Sequence, residues 1–127
     1  MIAKLKSMTS PYSTALRDAL IGQFQWEILF SIENGEIAAS RGEQTHIGGC
    51  AYRALCCIGQ VLFAVNKRYL INEKGAMEEA ARLPQTLSAL PERAAEIWAA
   101  IGGCAYGLAF KALRVCEQEL RGLTKAR

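Results

Sequence analysis

Apolar residues return every three or four positions through the first third of the chain: Leu16, Leu20, Phe24, Ile28 and Ile32, with Phe30 and Ile37 nearby. Arg17, Gln25, Glu33 and Glu36 fall between them. That period predicts an amphipathic helix that buries one stripe. Thr9 or Ser10 suits its N-cap and Pro11 its first helical position. The pattern runs to about Ala39, where Arg41-Gly42 supplies a residue that accepts the left-handed conformation closing many helices.

A second helix is predicted from about Glu43 to Tyr69, with Ile47, Cys50, Ala51, Ala54, Ile58, Val61, Leu62 and Val65 on one side. His46, Arg53, Gln60 and Lys67 stand seven residues apart and form one polar stripe, facing either solvent or the rim of a cleft. After a polar turn at Asn72-Glu73-Lys74-Gly75, Ala76 to Leu83 reads as a short helix stopped before Pro84. Leu90, followed by Pro91-Glu92-Arg93, opens a helix to about Ala100, and Gly102-Gly103 separates or bends it from a last helix reaching about Leu123. The fold class expected is all-α: an antiparallel up-and-down four-helix bundle with an additional short helix. Ile-Gly-Gly-Cys-Ala-Tyr occurs twice, at Ile47–Tyr52 and Ile101–Tyr106, and the match decays beyond it. Small residues let backbones approach, so Gly48-Gly49 and Gly102-Gly103 are expected to mark the starts of two tightly packed helices, and they offer a face for a homodimer.

At 127 residues the chain has the length of one domain. A net charge of +3, with Lys and Arg scattered among Glu, permits an anionic ligand but argues against a dedicated nucleic-acid binder. The five cysteines lie within apolar runs without a Cys-x-x-Cys spacing, and His46 is the single histidine, so reduced core thiols are expected and no metal site. Arg53 and Gln60 interrupt the apolar stretch Ile47–Val65, and Lys111 and Arg114 interrupt Ile97–Val115. Both read as buried bundle helices rather than membrane spans. No signal-peptide pattern opens the sequence, and a cytoplasmic setting is expected.

The densest candidate chemistry is Asn66-Lys67-Arg68-Tyr69-Leu70-Ile71-Asn72-Glu73-Lys74-Gly75-Ala76, where an apolar pattern gives way to cations, amides and a turn before a helix. Cationic side chains and free N–H groups at a helix start favour an anion such as phosphate. The plain alternative is a solvated interhelix turn. A second candidate is Trp26-Glu27: Glu27 lies one turn from Phe24 and Phe30, where burial raises a carboxyl unless a cation pairs with it. Arg53 and Gln60 on the second helix, with Asn66, are placed to complete a pocket with Trp26, Glu27 and Phe30.

Together with Ser7-Met8-Thr9-Ser10-Pro11-Tyr12, Ala15-Leu16-Arg17-Asp18-Ala19-Leu20 and Phe24-Gln25-Trp26-Glu27, the Asn66–Ala76 block resembles the C-terminal helical domain of bacterial nucleotidyltransferases related to the aminoglycoside adenylyltransferases. The resemblance is best from Ser7 to Pro84. It implies a substrate-side domain in which Lys74 meets the triphosphate of a nucleotide, Asn72, Glu73, Arg68 and Tyr69 orient that turn, and Glu27 holds a cationic acceptor or takes a proton from its hydroxyl. Lysine suits a mobile polyphosphate because it is a flexible point charge.

The family's catalytic domain carries a Gly-Ser motif and an Asp-x-Asp pair for magnesium; this chain has neither, and Asp18 is its single aspartate. Mg and ATP, or another NTP, are therefore expected only with a catalytic domain in cis or trans. Residues 1–10 read as a linker from that domain, and 11–125 as the helical domain. Two other functions compete. One is a stand-alone interaction or dimerisation module. The other is a toxin-type helical ribonuclease, marked by the Arg41 to His46 spacing but misplaced relative to that family's last helix.

Overall fold

The structure is a computed structural model that describes residues 13–70 and 74–125. Five helices and no strand occur among these residues: α1 (Thr14–Ala39), α2 (Gln44–Val65), α3 (Ala76–Ala81), α4 (Leu90–Gly102) and α5 (Tyr106–Lys125). The helical class and the number of elements agree with the periodicity. Thr9, Ser10 and Pro11 lie outside the described residues. The cap of α1 is Ser13, whose hydroxyl oxygen accepts the Leu16 N–H at 2.9 Å.

α2 stops at Val65, shorter than its apolar pattern predicts. Lys67 turns left-handed at φ 55°, and the Arg68 N–H donates to the Phe63 carbonyl at 2.8 Å, a closure that leaves no room for another helical turn. Gly42 takes the left-handed conformation the sequence predicts, at φ 67°.

The second glycine pair behaves differently from expectation. Gly102 is the last residue of α4, Gly103 has φ −89°, and the left-handed residue that closes the helix is Cys104 at φ 62°. Its neighbour Ala105 donates to the Ala100 carbonyl at 2.7 Å. Nor do the glycine pairs mark close crossings. Side-chain space at Gly48, Gly49 and Gly102 is open, and Gly103 faces only carbonyls of its own helix. The glycine on which packing depends is Gly35, where a Cβ would collide with the Phe110 ring.

α2 is the central element. Ile47, Ala51, Ala54, Ile58, Val61, Leu62 and Val65 are fully buried in it, and it packs against each of the other four helices. It is long and apolar enough to cross a membrane, but 67% of its most apolar window is buried inside the protein. A core position explains its composition, because a helix covered on most sides has little need of polar positions. α1 runs antiparallel to α2 across a short connection. It is also antiparallel to α5, as the pairs Gln25–Thr124 and Glu36–Arg114 require. Arg93 donates to Glu119 at 2.9 and 3.2 Å, joining α4 to α5 in the same antiparallel sense. One buried carboxylate, Glu117, is only 2% exposed and is held by Arg121 one turn later, at 2.6 Å.

Candidate functional site

The antiparallel register of α1 and α2 brings Glu27 opposite Arg53. The two form an ion pair, and the Cys57 thiol donates to the same Glu27 oxygen at 3.3 Å. Burial alone would raise the Glu27 carboxyl, but hydrogen bonds from Arg53 and Cys57, the Arg53 charge and Gln23 together hold it below the ordinary carboxylate range. Burial, reinforced by the contact with Glu27, pushes the Cys57 thiol up to about 12. Glu27 is thus an ionised, cation-paired group in the free protein, and Cys57 a protonated donor. A paired carboxylate of lowered basicity is better suited to holding Arg53 in place than to taking a proton.

Beside this pair, Trp26 and Phe30 stack with ring centroids 5.0 Å apart and planes 12° from parallel. Trp26 is 62% exposed and Phe30 52%. Phe30 and Arg53 form part of the wall of an open groove of about 770 Å³ that continues along Ser31, Asn34, Gln44, His46 and Cys50. Four of the six residues predicted for an acceptor pocket, Trp26, Glu27, Phe30 and Arg53, therefore meet in one place. Gln60 shares the Arg53 stripe but stands two turns further along α2, half-buried, and does not line the groove.

Asn66 has another task. Its amide donates to the Leu62 and Gln85 carbonyls, both at 2.8 Å, and its carbonyl accepts the Gln85 N–H at 3.0 Å. It clamps the end of α2 to the segment leading into α4.

Of the predicted nucleotide turn, Asn72 and Glu73 lie outside the described residues. Arg68, Tyr69 and Lys74 are exposed. The chain beyond them returns along α2: Leu70 and Met77 join Tyr52, Leu55, Cys56 and Trp98 around a small apolar recess. At 3.6 residues per turn, Tyr52, Leu55 and Cys56 point to one side of α2, whereas Arg53, Cys57 and Cys50 point to another. The groove and the Lys74 turn are accordingly two surfaces on different sides of α2.

Several groove residues were missed by sequence reasoning. Ser31 is four positions after Glu27 and Cys50 four after His46, so helical spacing from the nominated residues would have reached both. Gln44 had no local signal: its amide crosses to the Ile101 carbonyl at 3.0 Å, a contact that only the tertiary arrangement creates. The Cys50 sulfur lies 3.9 Å from the His46 ring, but burial raises this thiol, which leaves no thiolate nucleophile at neutral pH. Arg41 and His46 flank a shallow recess with Asn34 and Glu43. No group of three or more His, Cys, Asp or Glu able to hold a metal is present among the described residues. Compared with known protein families, characterised proteins and solved structures, the chain matches none.

Proposed function

We propose that the chain is a ligand-binding helical domain, arranged as a four-helix bundle with one short extra helix, that supplies the substrate side of a nucleotidyltransferase-like protein and does no chemistry alone. The observation that carries this reading is the meeting of the Trp26–Phe30 stack and the Glu27–Arg53 pair at one end of the groove. Aromatic surface left in water beside a positioned ion pair is what a small acceptor molecule needs: area to bury and fixed charge to orient it. Lys74, Arg68 and Tyr69 would meet the nucleotide phosphates on the other side of α2, and Asn72 and Glu73 belong to the same proposed turn. Mg and ATP would enter with a catalytic domain in cis or trans, in a cytoplasmic setting.

The test is an NMR titration of the labelled chain with Mg·ATP, beside Lys74→Ala and Arg53→Ala. The expected result is a set of shifts around Lys74 that Lys74→Ala abolishes and Arg53→Ala leaves in place. Shifts at neither surface with millimolar Mg·ATP would remove the nucleotide half of the reading. A second reading, a homodimer, is favoured by the stripe Trp26, Phe30 and Ile37 exposed along α1. Sedimentation across a concentration series distinguishes it, a mass that rises with concentration supporting the dimer. The ribonuclease reading rests on Arg41 and His46 flanking one recess, and unchanged RNA cleavage in His46→Ala would dismiss it.

A further inference from the structure

α1 carries a second pattern that its packing does not use. Leu16, Ala19, Gln23, Trp26, Phe30, Glu33 and Ile37 follow one another at alternating steps of three and four residues, and every one of them is exposed. From Gln23 to Ala39 the exposed residues of α1 belong to this line and no others do. At 3.6 residues per turn, such steps keep to one narrow line on the helix surface, the kind of seam along which two helices pair. The line lies opposite Ile28, Ile32 and Gly35, which face the core. α1 is thus apolar on two opposite sides, unlike α4 and α5, whose apolar residues gather on one. A helix of that kind is ordinarily covered all round.

The line is complementary to itself when reversed. Laid antiparallel on a second copy, with Trp26 at the centre, it sets Leu16 against Ile37, Ala19 against Glu33 and Gln23 against Phe30. The one charged member then meets the smallest, and the apolar ends close on each other. A parallel pair in register would instead set Glu33 against Glu33, a like-charge contact that counts against that orientation. The area is that of a weak dimer. Trp26 and Phe30 leave on the order of 100 to 150 Å² each in water, and Leu16 and Ile37 bring the stripe to roughly 450 Å² per copy. Two copies therefore bury about 900 Å² of apolar surface before any polar rim, close to the least that a specific interface needs.

We propose that α1 is the seam of a weak homodimer in which two copies pair antiparallel across a two-fold axis at Trp26. This rests on the second reading above, that the exposed stripe favours a homodimer, and adds its orientation and contacts. An antiparallel two-fold puts both grooves on the same side of the α1 pair. Phe30 belongs to stripe and groove alike, so the second copy stands alongside the acceptor pocket.

The test is sedimentation of the full chain from about 1 µM to about 1 mM, beside Trp26→Glu, Ile37→Lys and Ala19→Lys. The unaltered chain is expected to move from the mass of one copy toward that of two. Trp26→Glu and Ile37→Lys are expected to stay monomeric with unfolding midpoints near the original, since both positions are more than half exposed. Ala19→Lys is expected to tighten the dimer about threefold, because each new ammonium meets Glu33 of the second copy, and the gain should vanish at about 0.5 M salt. The mass of one copy at every concentration would overturn both this inference and the homodimer reading. A dimer that survives both Trp26→Glu and Ile37→Lys would leave the homodimer reading standing and overturn the seam. A dimer loosened by Ala19→Lys would overturn the antiparallel orientation, because in a parallel pair the two lysines face each other.

Discussion

The two sides of α1 have been built to different standards. Toward α5 the middle of the helix is fitted: Ile28 and Ile32 are fully buried, Phe110 occupies the space left by Gly35, and Glu36 accepts Arg114 through both oxygens at 2.6 and 2.7 Å, beside an open recess of about 540 Å³ between Glu33 and Arg121. Toward the groove and solvent, Trp26, Phe30 and Ile37 stand more than half exposed along one stripe. Leaving large apolar side chains in water forgoes about 25 cal/mol for each Å² that burial would have removed. The difference teaches that one side of α1 serves folding, while the other, the face of the proposed ligand site, contributes little to it.

The most direct way to break this comparison is on the fitted side. Gly35→Ala places a methyl where the Phe110 ring lies, and that ring is only 1% exposed. Overpacking of this kind costs about 1 to 3 kcal/mol, and the upper end is expected here. Denaturant unfolding would read it, and Phe110→Leu in the same chain should recover part of the loss. If Gly35→Ala proved neutral, the α1–α5 seam would be looser than its burial implies. Next in size is Asn66→Ala, which strands the Gln85 N–H and carbonyl and is expected to cost about 1 to 2 kcal/mol by the same measurement. A negligible loss would return Asn66 to the list of ligand contacts.

Asn66 also shows what a sequence can and cannot disclose. Its place at the end of α2 was missed, because the pattern predicts a helix running on to about Tyr69 whereas the chain closes at Val65. Its partner was missed too, since Gln85 lies 19 residues away and no local pattern encodes that meeting. The helices were legible because burial imposes a period on each of them, and the Glu27–Arg53 meeting was legible because two antiparallel amphipathic helices place their polar edges side by side. Tertiary context overruled propensity at the helix boundaries: Lys67 and Cys104 at closures and Ala89 at the start of α4 adopt the left-handed conformation without being glycine. In the repeated Ile-Gly-Gly-Cys-Ala-Tyr, the same letters lie within α2 at one copy and end α4 at the other.

A smaller effect tests the electrostatics of the fitted side. The hydrogen bonds from Arg114, only partly opposed by burial, hold the Glu36 carboxyl below its ordinary value of 4.5. A carboxyl depressed in the folded state contributes stability that is present above its unfolded pKa and lost as pH falls through its folded one. Stability should therefore decline on acidification from about pH 5 downward, and Arg114→Ala should flatten the part of that decline due to Glu36. Because both side chains are more than a third exposed, the difference is expected to stay below about 1 kcal/mol. An acid limb of unchanged slope in Arg114→Ala would mean that solvent screens the pair completely.

The smallest expected change in stability is on the open side, and it carries the comparison's main claim. Trp26→Ala removes an indole that packs mainly on Phe30, itself half in water, so the unfolding free energy should move by no more than about 0.5 kcal/mol. Binding of a neutral aromatic probe such as phenol in the groove should weaken in the same variant, because a ring against Phe30 loses its stacked backing. A stability loss above about 1.5 kcal/mol would place the stack within the fold and erase the contrast between the two sides. If that loss appeared only at high protein concentration, the missing neighbour of the stripe would be a second copy of the chain. A stable variant with weakened binding would identify that neighbour as the ligand, and the exposed aromatics would then be the functional side of a helix whose other side is committed to folding.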